Sequence, residues 1–117
     1  MKYLCLICSD ENRWETLPAA EQERVVGEHL AFAEELRRGG HYLAGEALQP
    51  TPTARTVRTV AGGAPLITDG PFAETKEQFG GFYLIEARDL DEATALAARI
   101  PMPGFGCVEV RPVWDVE

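Results

Sequence analysis

Asp69-Gly70-Pro71-Phe72-Ala73-Glu74-Thr75-Lys76-Glu77-Gln78-Phe79-Gly80-Gly81, running on into the apolar Phe82-Tyr83-Leu84-Ile85, sets a turn directly against a strand. Asp before Gly-Pro is turn chemistry, because the carboxylate accepts hydrogen bonds from the backbone amides that follow. Gly70 escapes much of the restriction that a proline imposes on its predecessor. Phe72 reads as an apolar anchor for the loop, and Glu74, Lys76 and Glu77 as a solvated turn. Residues 82–87 then form a strand, apolar on both faces.

Outward from this stretch the chain has the same plan on either side. Residues 2–8 are a continuous apolar strand, and residues 10–14 lead through Thr16 and Pro18 into a helix, where proline suits the first turn. That helix covers residues 18–38. Val25, Val26, Phe32, Ala33 and Leu36 recur at helical spacing, and Gly39-Gly40 stops it. Residues 42–48 form a second strand, and two prolines, Pro50 and Pro52, then impose a loop. Residues 53–60 and 65–68 flank Gly62-Gly63 as an inserted hairpin. On the C-terminal side Asp89-Leu90-Asp91-Glu92 has capping-box form. The helix behind it runs to Ile100 with Leu90, Ala93, Leu96, Ala97 and Ile100 as its buried stripe, and residues 107–113 are the last strand.

Strand-helix-strand, hairpin, strand-helix-strand is the order of a ferredoxin-like α+β sandwich, an antiparallel sheet with two helices on one face. Its central strands are apolar on both faces, so the face without helices needs a cover. A homodimer supplies it.

The same residues carry a family resemblance. Asp69-Gly70-Pro71-Phe72 with its continuation, the opening strand, Leu43-Ala44-Gly45-Glu46-Ala47-Leu48-Gln49-Pro50 and Val108-Glu109-Val110-Arg111-Pro112-Val113-Trp114 together resemble the YCII-related, or DGPF, family over nearly the whole chain. The resemblance implies a dimeric α+β barrel, in which two sheets pack face to face and leave a pocket beside each. Glu28-His29-Leu30, followed by Leu36 and Gly40, resembles the helix that in the broader family carries a histidine proposed as catalytic. The proposed site of the family is a His–Asp pair, which here implies His29 and Asp69. Relatives that act as dehydrochlorinating lyases imply a small cofactor-independent acid/base enzyme, lyase or hydrolase-like, acting on a small aromatic or halogenated molecule. Relatives encoded beside extracytoplasmic-function sigma factors imply instead a non-catalytic ligand- or protein-binding module associated with such a factor.

Read from the residues alone, His29 admits two roles. It lies beside the apolar stripe of its helix, where a partly buried imidazole ring has a movable pKa and suits acid/base work; it also suits a core-edge histidine bonded to backbone. Asp69 likewise either orients an imidazole or fixes its own turn. Arg55, Arg58 and Arg111 match carboxylate geometry but sit where strands present charges to solvent. Trp14 and Trp114 are candidates for a pocket or a dimer seam. His41 reads as a surface imidazole after a helix end.

Composition narrows the rest. At 117 residues and 45% hydrophobic, the chain has the size of one domain. A formal charge of -8 with 11 scattered Lys and Arg opposes direct nucleic-acid binding. No leader-type segment precedes an apolar stretch of bilayer length, so the expected location is cytoplasmic, without membrane contact. Three cysteines fit a reducing compartment. Cys5 and Cys8, three apart on a strand, point to opposite faces and do not form a CxxC site. No metal, phosphate-loop or serine-elbow motif is present, and the chemistry expected needs no cofactor.

Overall fold

The structure, a computed structural model, describes residues 1–116 in the order β1 (Lys2–Ser9), α1 (Glu11–Glu15), α2 (Ala19–Arg38), β2 (Tyr42–Ala47), β3 (Arg55–Arg58), β4 (Leu66–Asp69), β5 (Gln78–Glu86), α3 (Leu90–Ala97) and β6 (Cys107–Pro112). Four strands form one antiparallel sheet in the order β2-β5-β1-β6, the ferredoxin-like arrangement. Cys5 stands opposite both Tyr83 and Val110, and Tyr3 opposite Ile85. Tyr3, Cys5, Tyr83 and Ile85 therefore share a face, and they are buried with Phe32 and Leu36 of α2 and Ala93 and Ala97 of α3. Burial of each large side chain there is worth roughly 1.5–3 kcal/mol.

The helix stripes are narrower than the sequence suggests. Val25, Phe32 and Leu36 are buried, whereas Val26 projects from the side of α2 and is half exposed. Leu90, at the first position of α3, is also about half exposed. Asp89 caps α3 by accepting from Glu92 N at 2.8 Å, and Glu92 reaches back to Arg88 N, one residue before the usual capping-box partner. The α-helix ends at Ala97 rather than Ile100, since Arg99 and Ile100 bond three residues back in a tighter turn ahead of Pro101. β5 begins four residues earlier than Phe82. Gly81 is required there, because a Cβ would stand 3.0 Å from Glu46 O.

Strand alternation sends Leu4, Leu6, Phe82 and Leu84 to the face that carries no helix. The register sets Leu4 against Leu84 and Leu6 against Phe82, a continuous apolar strip that the chain only partly shields. Cys8 lies on this side opposite Cys107, while Cys5 is buried under the helices, so the sulfurs of the apparent CxxC point apart.

β3 and β4 pair only with each other, as an arm outside the sandwich. The radius of gyration, 16.3 Å, exceeds the about 13 Å typical of this length. At the base of the arm Gly70 adopts φ +93°, a left-handed conformation that favours glycine. Its N–H donates to Ala54 O at 2.7 Å and its carbonyl accepts from Thr56 Oγ1 at 2.8 Å. The turn is thus held through Gly70. Phe72 does not anchor it: the ring is 72% exposed, because the arm offers no core to enter.

Candidate functional site

The inner face of the sheet is not filled to its end. Between α2 and strands β2 and β5, with α1 and the segment after Ile100 as further walls, lies a cavity of about 510 Å³ lined by Trp14, Val25, His29, Ala33, Tyr83 and Met102 among others. The five-residue α1, which the sequence shows only as a lead-in, supplies Trp14. It forms because Asp10 accepts from Asn12 N at 3.0 Å. Glu11 ties α1 to the loop after β2, accepting from Thr51 N at 3.1 Å and from the Thr51 hydroxyl. Its own N–H donates to Gln78 Oε1 at 2.9 Å.

On the wall of the cavity His29 Nδ1 lies 2.8 Å from Tyr83 Oη. The two rings are nearly parallel, 5.9 Å between centroids, and Phe32 and Tyr42 meet the Tyr83 ring edge-on at 5.6 and 6.5 Å. Gly45 makes room for that ring, since a Cβ at this position would come within 2.8 Å of Tyr83 Cδ1. Arg37 lies 4.3 Å above Tyr42 and closes the cluster.

Burial decides the protonation of both groups. It holds His29 below its ordinary value, outweighing the hydrogen bond to the Pro101 backbone and the nearby Glu28 charge, which act the other way. Burial, with Tyr42 adding to it, pushes the Tyr83 phenol up to about 12. Both are neutral near pH 7. Proline has no N–H, so the Pro101 backbone can only accept, which favours a proton on the ring nitrogen nearest it. With Nδ1 beside Tyr83 Oη, a proton on Nε2 leaves Nδ1 to accept from the Tyr83 hydroxyl, which also lies 3.4 Å from His29 O. The result is a short proton path from phenol to imidazole at a cavity wall.

Asp69 is elsewhere. It ends β4 on the arm, its side chain 93% exposed and 3.5 Å from Arg55 Nε, and it is not among the lining residues. Within the chain the structure pairs His29 with Tyr83 and leaves Asp69 with Arg55. Arg58 donates to Phe72 O at 2.9 Å, and Arg111 lies 3.7 Å from Glu109, so none of these three arginines lines the cavity. His41 is half-buried and bonded through Nδ1 to Glu86 O at 2.8 Å. Trp14 lines the cavity, whereas Trp114 is 85% exposed. Among the described residues no group of three or more His, Cys, Asp or Glu is placed to hold a metal ion, and no helix is long and apolar enough to cross a membrane. Tyr83 is the site residue that the sequence does not disclose. Its only local signal is a hydroxyl in an otherwise apolar strand.

The family model of the YCII-related domain matches residues 1–117. The chain belongs to the YCII-related domain family. The uncharacterised protein R00369 of Rhizobium meliloti strain 1021 is 39% identical over 115 residues, spanning 97% of this chain and 92% of that protein. Among solved structures, 5-chloro-2-hydroxyhydroquinone dehydrochlorinase of Burkholderia phenoliruptrix AC1100, in complex with 2,5-dihydroxybenzoquinone, is similar at a TM-score of 0.49 and 22% identity, over 98% of this chain and 94% of that one. The Asp69–Phe72 turn, which carries part of the resemblance, lies at the base of the arm, while the cavity is built by α1, α2, β2 and β5.

Proposed function

We propose that this YCII-related protein is a small acid/base enzyme, lyase or hydrolase-like, that acts without a cofactor on a small organic molecule held in the cavity. The observation that carries this reading is the His29–Tyr83 pair, 2.8 Å apart on the wall of a 510 Å³ cavity, in the size range of small-molecule sites. A ligand that draws a proton from Tyr83, or gives one to it, works against an imidazole able to compensate. In this reading Tyr83 takes the place beside His29 that the resemblance assigns to Asp69, which stays paired with Arg55 on the arm. Screening small aromatic and halogenated compounds for turnover, then comparing His29→Gln and Tyr83→Phe, tests the proposal. A loss of about 100-fold or more is expected in folded variants, the lower end of general acid/base contributions. Wild-type rates in both variants would sink it.

The protein is further proposed to work as a homodimer, supported by the strip Leu4, Leu6, Phe82 and Leu84 on the face without helices. Exposed Val57, Ile67 and Phe72 on the arm favour a protein partner as well. The second reading, a module associated with an extracytoplasmic-function sigma factor, predicts a stoichiometric complex on co-expression with that factor; a homodimer that elutes alone speaks against it.

A further inference from the structure

The cavity walls are apolar and aromatic, but their charges are unbalanced. Glu11 and Glu15 line the cavity, and Glu46, opposite Phe82 on β2, touches its rim with the side chain directed to the helix-free face; among the described residues the single lining cation is Arg37. Arg37 is already committed: its guanidinium stacks on Tyr42 at 4.3 Å and reaches Glu34 at 3.4 Å. His29 adds no positive charge, since burial keeps its ring neutral near pH 7. The arginines able to clamp a carboxylate or phosphate, Arg55, Arg58 and Arg111, lie on the arm or at the far strand. A formal charge of -8 over the chain deepens the same field.

We infer that the cavity selects by charge, admitting neutral or cationic aromatic compounds and excluding aromatic carboxylates, sulfonates and phosphates. The inference rests on the small-molecule reading given above and narrows its substrate class. An anion entering the cavity loses water, meets carboxylates at the walls, and finds no free guanidinium in exchange. A neutral phenol loses little and finds Tyr83 for its hydroxyl. An arylammonium gains both from the carboxylates and from the Trp14 ring on the cavity wall.

Three probes with one ring system isolate the charge: 2-naphthol, 2-naphthylmethylammonium and 2-naphthoate. Isothermal titration at pH 7.5 and low salt is expected to show binding of the first two, with naphthoate at least tenfold weaker. The gap should shrink severalfold in the Glu15→Gln variant, whose altered side chain is solvent-exposed, and also at high salt. Naphthoate binding as tightly as naphthol, or a gap unmoved by Glu15→Gln, overturns charge selection and leaves the small-molecule reading standing. Binding of none of the three overturns both.

Discussion

His29 Nδ1 and Tyr83 Oη, 54 positions apart in sequence, meet at 2.8 Å where α2 crosses β5. The bond joins a titratable ring on the helix to a ring locked in the sheet, and its direction has a measurable consequence. Replacing Tyr83 by Phe removes the donor to Nδ1, so the neutral imidazole loses its partner and the His29 pKa should rise. The variant should lose about 1 kcal/mol of stability, the usual net value of one hydrogen bond. NMR titration of the imidazole checks both direction and tautomer. A fall in the pKa would mean that Nδ1 carries the proton and Tyr83 accepts it.

Acid should weaken the fold through the same histidine. Its folded-state pKa lies below the ordinary 6.5, so the unfolded chain binds the proton more readily. The stability this provides is complete above about pH 6.5 and is lost as the pH falls through the lower folded value. Thermal unfolding between pH 7.5 and 5 should give a flat Tm that then declines, with a smaller decline in His29→Gln. Equal declines in the two proteins would remove His29 as the cause.

Gly45→Ala is expected to destabilise by about 1–3 kcal/mol, the cost of forcing atoms into a packed site. The added methyl would stand 2.8 Å from Tyr83 Cδ1 and 3.2 Å from Phe82 O, so the ring must move. Chemical denaturation gives the magnitude, and a shift of the His29 ring resonances reports the displaced tyrosine.

Asp69→Asn should change stability by no more than about 0.5 kcal/mol, since the ion pair it breaks is exposed and 3.5 Å long. The His29 titration should be unchanged in the monomer. A shift seen only at concentrations where the protein is dimeric would show that the arm of one protomer reaches the cavity of another.

Leu84→Lys places a charge in the middle of the helix-free strip. Sedimentation should report a monomer with an unchanged far-UV circular dichroism spectrum. A persistent dimer would move the interface off this face.

The long elements were legible because their patterns are long. Val25, Phe32 and Leu36 mark the buried side of α2, and the apolar runs at 3–8 and 82–85 mark the central strands. α1 was not legible as a helix, because five residues hold too little periodicity and the Asp10 cap decides the matter. Gly80-Gly81 belongs to β5, which the sequence starts only at Phe82, and at Gly81 the sheet pairing leaves no room for a side chain. The turn at Asp69–Phe72 was recognisable locally, but whether it faces the core is a tertiary question, and it does not. His29 could be singled out from its place on the helix. Its partner could not, because nothing near Tyr83 in sequence points across the layers to α2.

β5 is one residue thick between two environments. Tyr83 faces the cavity, and its neighbours Phe82 and Leu84 face the strip on which a second protomer is proposed to sit. A ligand that pushes the Tyr83 ring pushes the peptide units that aim those neighbours. Whatever factor occupancy imposes on self-association is then the factor by which self-association alters ligand affinity, because linkage between two binding events is reciprocal. Dilution would act as an effector of the cavity, and a filled cavity as a reagent that sets the concentration at which two copies part.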